Sequence, residues 1–251
     1  MKHFSIKLAL LVTTSLLLAG SANASVIDFS NVATKLAPNA PYLSTNDMLL
    51  QGNFSIQAED SNYAVRPVAR LSNGDDPASC LNGVCPGGNN SDFLSVFGDG
   101  IIHIRSLTGD TLVFGGLSAA YIPPIDAAAQ STLYLAIEAD RTDGSYASFY
   151  YPLLSSGDFT QISSTGGVKN GGSGSLTDGA VSDLYIYGIF CDGGTGSCSA
   201  FNTGQAQFAL DNITFATAAD QNQPVPEPMS IWLAAAAISA LLIARRRAQS
   251  A

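Results

Sequence analysis

The sequence predicts an all-β domain, a two-sheet antiparallel β-sandwich of jelly-roll type, set between an N-terminal signal helix and a C-terminal transmembrane helix. Three observations predict the sandwich. Leu133, Leu135 and Ile137 alternate with Tyr134, Ala136 and Glu138, the period of two that a half-buried strand requires. Leu184 and Ile186 alternate with Tyr185 and Tyr187 in the same way, and Ile189 follows. Runs of this kind recur roughly ten times between residues 25 and 215, bounded by Gly, Asn, Asp or Pro, with no long helical period among them.

The chain opens on a secretory pattern. Lys2 and Lys7 precede an apolar stretch at 8–18, and Ala22-Asn23-Ala24 is a small-x-small cleavage site. The expectation is a signal peptide over 1–24, cut between Ala24 and Ser25, with the secretion translocon and signal peptidase as partners. The body, 25–215, is long enough for one domain with a core of its own. Strands are expected at 26–31, 48–57, 64–69, 93–97, 101–105, 111–122, 133–138, 145–151, 158–163 and 183–191, with a short helical turn within 124–130. Two turn-rich segments, 75–91 and 164–179, read as mobile, either as binding loops or as plain surface.

Without its two terminal segments the chain keeps six basic and 19 acidic residues, a net charge of −13. So acidic a surface excludes nucleic acid as a partner, because phosphate binding needs Lys and Arg. The four cysteines come as close pairs, Cys80/Cys85 and Cys191/Cys198, each bracketing turn sequence. An exported chain with an even count favours two local disulfides. Zinc is the rival, although neither spacing is a two-residue knuckle.

The closing strand, 207–215, is apolar at Phe208 and Leu210 and again at Ile213 and Phe215, so its apolar phase slips by one residue. The slip falls at Asp211-Asn212 and predicts a β-bulge there, unless the two apolar pairs face opposite sides. The arrangement resembles that of carbohydrate-binding jelly rolls, whose closing strand helps hold a structural Ca²⁺. By that resemblance Asp28 of the first strand and Asp211 would be calcium ligands, completed by backbone carbonyls.

Beyond a polar linker at 216–223 lies the tail, 224–248. Val225-Pro226-Glu227-Pro228 precedes an uncharged run at 229–244, and Arg245-Arg246-Arg247 follows. As a helix rising ~1.5 Å per residue the run spans roughly 24 Å, short of a hydrocarbon core of about 30 Å. The three arginines are a topology stop on the cytoplasmic side. These parts in this order resemble the PEP-CTERM sorting signal of Gram-negative bacteria. The sequence Gln207-Phe208-x-x-Asp211 is similar to a QFxxD element found in a subgroup of such proteins. The resemblance implies recognition by an exosortase, cleavage near Pro226-Glu227-Pro228, transient anchoring in the inner membrane, and release to the cell envelope or an extracellular exopolysaccharide matrix.

The inventory of catalytic groups is thin. His103 is the one histidine left once the signal segment is removed, no Gly-x-Ser-x-Gly elbow supplies it with a serine, and no phosphate-binding Gly loop is present. Glycosidases need two carboxylates about 5–10 Å apart; Glu59, Glu138, the Asp140/Asp143 neighbours and Asp75-Asp76 are the candidates. Tyr134, Tyr146, Phe149, Tyr150, Tyr151, Tyr185 and Tyr187 would serve as a stacking platform for sugar rings. The expectation is a non-enzymatic exported protein that binds polysaccharide. The alternatives are a hydrolase using Asp pairs and a purely structural matrix component.

Overall fold

The computed structural model describes residues 25–217, apart from 35–41, 62–65, 84, 126, 128–129, 154–156, 178–180 and 202. The signal segment with Ala24, most of the linker, Val225–Pro228, the apolar run at 229–244 and Arg245–Arg247 lie outside the described residues. No helix among the described residues is long and apolar enough to cross a membrane.

Among the described residues, sixteen strands form two antiparallel layers. They are β1 (Ser25–Ile27), β2 (Ala33–Thr34), β3 (Tyr42–Ser44), β4 (Met48–Gln51), β5 (Phe54–Asp60), β6 (Pro67–Asn73), β7 (Asp92–Val96) and β8 (Gly100–Ser106). The second half holds β9 (Leu112–Tyr121), β10 (Thr132–Arg141), β11 (Tyr146–Leu153), β12 (Thr160–Ser163), β13 (Val168–Gly172), β14 (Val181–Cys191), β15 (Cys198–Ser199) and β16 (Phe208–Thr217). One layer runs β2-β4-β5-β8-β14-β10-β11-β13, with β15 on the end of β14. The other runs β3-β6-β7-β16-β9-β12, with β1 beside the second half of β16. Among the described residues, the bridge from Val181 to Leu112 joins them at one corner.

Alternation decides which side chains lie between the layers. Ile56, Ile102, Ile104, Leu135, Ile137, Leu184 and Ile186 point inward from the first layer and are fully buried. Leu94, Phe114, Phe208, Leu210, Ile213 and Phe215 meet them from the second. Phe215 stacks on Phe54 at 5.1 Å between ring centres and meets Phe114 edge-on at 6.2 Å.

The bulge expected in the closing strand is present. Pairing of β16 with β9 shifts between Asp211 and Thr214, and Asn212 takes a left-handed backbone with φ 50°. The inserted residue lets Phe208, Leu210, Ile213 and Phe215 all reach the core. The strand continues through Ala216 and Thr217, opposite Val113 and Leu112, two residues into the segment expected as linker.

Other expectations need correction. The run 48–57 is two strands, because Gly52 adopts φ 56° and turns the chain back at Gly52-Asn53. Within the Gly-rich 164–179 segment, β13 pairs with β11; glycines at 171 and 172 suit this edge, where an added Cβ would strike Tyr146. The described residues of 75–91 are also held in place. Asp76 caps a 3-10 turn at Pro77–Ser79 by accepting from the Ala78 N–H, and the Cys80–Cys85 disulfide closes the next turn. That loop packs Cys80, Leu81 and Cys85 against Phe93, Ala120, Ile122 and Ala209, on the outer side of the second layer. The outer side of the first layer carries the polar and aromatic residues considered next.

Candidate functional site

The outward positions of β5, β8, β14, β10 and β11 fall in register and form three rows. Ser55, Arg105, Asp183, Asp140 and Tyr146 make the first. Gln57, His103, Tyr185, Glu138 and Ser148 make the second, and Glu59, Ile101, Tyr187, Ala136 and Tyr150 the third. Tyr134 continues the face one step beyond Ala136 along β10.

Strand parity divides the expected aromatic platform. Tyr134, Tyr146, Tyr150, Tyr185 and Tyr187 face outward, whereas Phe149 and Tyr151 point to the core, where the Tyr151 hydroxyl is pushed up to about 12 by burial. Between Tyr187 and Tyr150 stands Ala136, which is 0% exposed although it faces outward. Burial, followed by the charge of Glu138, pushes the Tyr187 hydroxyl up to about 12 and raises that of Tyr150. Phe201 sits against Tyr187 at 5.4 Å between ring centres. The sequence reading missed it, because Phe201 belongs to no alternating run.

Two devices hold Phe201. The Cys191–Cys198 disulfide closes the hairpin before it. After it, the buried Asp99 carboxylate accepts from the N–H groups of Thr203 (2.7 Å), Gly204 (2.6 Å) and Ala206 (3.1 Å) and from Thr203 Oγ1 (2.8 Å). Asp99 is 2% exposed and φ there is 59°.

His103 lies flat on Tyr185, with ring centres 4.4 Å apart and planes at 17°. Its Nδ1 is 3.2 Å from Glu59 Oε1 and its Nε2 2.7 Å from Asp183 Oδ1. The tautomer decides which contact is donated by the ring. Burial works to raise the Asp183 carboxyl, but hydrogen bonds from His103 and Ser182 and the charges of His103 and Arg105 outweigh it and leave it below the ordinary range. Its neighbours go the other way. Burial, then the charge of Asp140, raises Glu138; burial, then the charge of Asp183, raises Asp140. These three carboxylates line a hollow of about 550 Å³ together with Arg141, Gly144, Ser145, Tyr146 and Ser182. Arg141 donates to the Ser145 hydroxyl (3.2 Å), the Ser173 carbonyl (3.0 Å) and the Ser175 carbonyl (2.6 Å).

Asp143 does not join Asp140. It sits in the β10–β11 turn and accepts from the Ser145 N–H and hydroxyl, which hold its carboxyl below the ordinary range. Asp75 and Asp76 stand apart from this face, in the turn beyond β6.

The calcium pair lies elsewhere, where β1 meets β16. Asp211, 1% exposed, accepts from Asn212 N–H and Nδ2, from Asn89 Nδ2 and from Ser91 Oγ. Asp28 accepts from the Ser30 hydroxyl and N–H and from Gln51 Nε2, and the Ser30 hydroxyl is the largest cause holding its carboxyl low. Donor hydrogens, not ligand oxygens, therefore face both carboxylates, and a cation would have to displace them. Among the described residues no three His, Cys, Asp or Glu side chains converge as a metal site. A second hollow, of about 580 Å³, is lined by Phe29, Ser30, Asn31, Leu71, Asn73 and Asp92 among others. It offers no tyrosine or tryptophan, and Asn73 Nδ2 already donates to Asp92 at 2.7 Å.

No protein-family model and no curated protein matches the chain. Among solved structures it is similar to the family 11 carbohydrate-binding module of the cellulosomal cellulase Lic26A-Cel5E of Clostridium thermocellum. The two are 10% identical, the likeness covers 79% of this chain and 97% of that one, and the TM-score is 0.33. A likeness of that size carries no argument about ligand or activity.

Proposed function

We propose that the chain is an exported, non-catalytic polysaccharide-binding protein of the cell envelope or extracellular matrix. In this reading the domain winds as a jelly roll, and the tail at 224–248 hands the chain to an exosortase. The observation that carries the binding reading is the outer face of the first layer. Tyr187 and Tyr150 flank a floor at Ala136, Tyr134 and Phe201 lie next to them, and Tyr185 and Tyr146 follow along the same face with carboxylates and His103 alongside. Flat rings pack against the apolar faces of pyranoses, and carboxylates at their edges accept from sugar hydroxyls. The opposite outer surface is partly closed by the Cys80–Cys85 loop. The two disulfides suit an oxidising compartment, which supports export.

Affinity electrophoresis through gels holding soluble polysaccharides tests the binding reading: retardation by at least one is expected, and free migration through all of them overturns it. Mass spectrometry of the surface form tests sorting. Ser25 is the expected N-terminus, with loss of everything beyond the Pro226-Glu227-Pro228 region; an intact Arg245–Arg247 end on that form overturns exosortase processing.

A further inference from the structure

We propose that Ser148 is a positioning residue of this outer face: its hydroxyl joins Tyr187 to Glu138 and so fixes the Tyr187 ring in the pose that stacks on a sugar, without itself touching the ligand. The inference rests on the polysaccharide-binding reading and assigns the residue that orders one of its rings before the ligand arrives.

Tyr187 stands on β14 and Ser148 on β11, with β10 between them. Tyr187 is opposite Ala136 of β10, and Ser148 is opposite Glu138, two residues further along β10. Neighbouring strands lie about 4.8 Å apart, and a two-residue step adds roughly 6.6 Å along the strand. A hydrogen bond between these two side chains therefore crosses a whole strand on the diagonal. The Ser148 hydroxyl makes that bond with the Tyr187 hydroxyl and a second one with the Glu138 carboxylate. A tyrosine that reaches so far lies down along the sheet instead of standing up from it, and turns a ring face to solvent. The effect shows beneath the ring, where Ala136 faces outward and yet is 0% exposed.

The donor inventory sets the direction of the relay. An ionised carboxylate only accepts, so Ser148 donates to Glu138, and its oxygen is left to accept from the Tyr187 hydroxyl. Burial, and then the charge of Glu138, push that hydroxyl up to about 12, so it keeps the proton it donates. Ser148 is 1% exposed, which closes the relay to water and to a ligand alike. Phe201 supports the same ring from the side, at 5.4 Å between centres. The Tyr187 ring is thus held at its tip by Ser148 and at its flank by Phe201. A side chain already ordered in the bound pose spares association the cost of ordering it.

The test is affinity electrophoresis of the full chain in detergent, through gels holding hydroxyethylcellulose, galactomannan or soluble starch. Ser148→Ala and Tyr187→Phe each remove one end of the same hydrogen bond and leave the ring in the chain. On a polysaccharide that retards the wild type, each is expected to weaken binding roughly three- to tenfold. The double variant is expected to bind no more weakly than the weaker single one, because both substitutions remove one restraint. Wild-type affinity in either single variant, or a double variant whose losses multiply, overturns the positioning role and leaves polysaccharide binding standing. Far-UV circular dichroism reports whether Ser148→Ala is folded; where it is not, Tyr187→Phe decides alone, and its wild-type affinity overturns the proposal. Free migration of the wild type through all three gels removes the polysaccharide-binding reading and the proposal with it.

Discussion

Replacing Asp99 with alanine should unfold the chain more easily than any other single change on the loop that carries Phe201. The carboxylate accepts from three backbone N–H groups and one hydroxyl between Thr203 and Ala206. A buried donor left without an acceptor costs about 1–3 kcal/mol. Ala206 is fully buried and bears that cost in full, whereas Gly204 is exposed and recovers much of it from water. Counting Ala206 whole and the Thr203 and Gly204 groups in part gives a loss of about 3 kcal/mol. Backbone strain is a separate contribution, because φ is 59° at this position. Glycine adopts that conformation freely, so Asp99→Gly should be about 1 kcal/mol less damaging than Asp99→Ala. Urea unfolding followed by far-UV circular dichroism measures both. A loss below ~1 kcal/mol for Asp99→Ala, or full stability in Asp99→Gly, would show that the carboxylate does not anchor the loop.

Three further outcomes are expected. Tyr121→Phe should be neutral or stabilising by up to about 1 kcal/mol in urea, because its buried hydroxyl has no partner; a clear loss contradicts this. Glu138, Asp140 and Asp211 have folded-state pKa values raised above the ordinary carboxyl range, with burial the largest cause in each. Their contribution to stability is full below the unfolded value of about 4 and is lost as pH rises through the folded value. Asp28 and Asp183, held low, contribute above the unfolded value and lose that only in stronger acid. The melting temperature should therefore rise as pH is lowered from neutrality towards the unfolded value of about 4, less steeply in Glu138→Gln, and identical slopes would rule Glu138 out as a source. Melts in EDTA and in excess calcium should coincide, because donor hydrogens already face Asp28 and Asp211; a calcium-dependent rise, abolished by Asp211→Asn, would show that this pair holds a calcium ion.

Alternation made the layered fold and the outward tyrosines legible in the sequence. Tyr134, Tyr185 and Tyr187 could be placed on one kind of face because their strands keep a strict period of two. The same period separates Tyr150 from Tyr151, so grouping neighbours by composition put core residues into the platform. The bulge was readable because a one-residue slip between Leu210 and Ile213 admits few explanations. The site itself was not readable, because Glu59, His103, Asp183 and Asp140 come from four strands and meet only through non-local pairing. Asp143 looked like a partner of Asp140 by adjacency, yet a turn next to a strand end uses Asp for its own backbone. Phe201 and Asp99 belong to irregular segments where no periodicity operates, and Asp99 acts across 104 residues of sequence on Thr203.

The central claim is that the outer tyrosines bind polysaccharide. Its most direct test compares the wild type with Tyr150→Ala and Tyr187→Ala in affinity electrophoresis, on a polysaccharide that retards the wild type. Each ring that stacks on a sugar is worth about 0.5–1.5 kcal/mol beyond the area it buries. The two substitutions together should therefore weaken binding by roughly tenfold or more, while Tyr134→Phe, which keeps its ring, binds as the wild type does. Unchanged retardation in the double variant, with its fold intact by circular dichroism, would contradict the account.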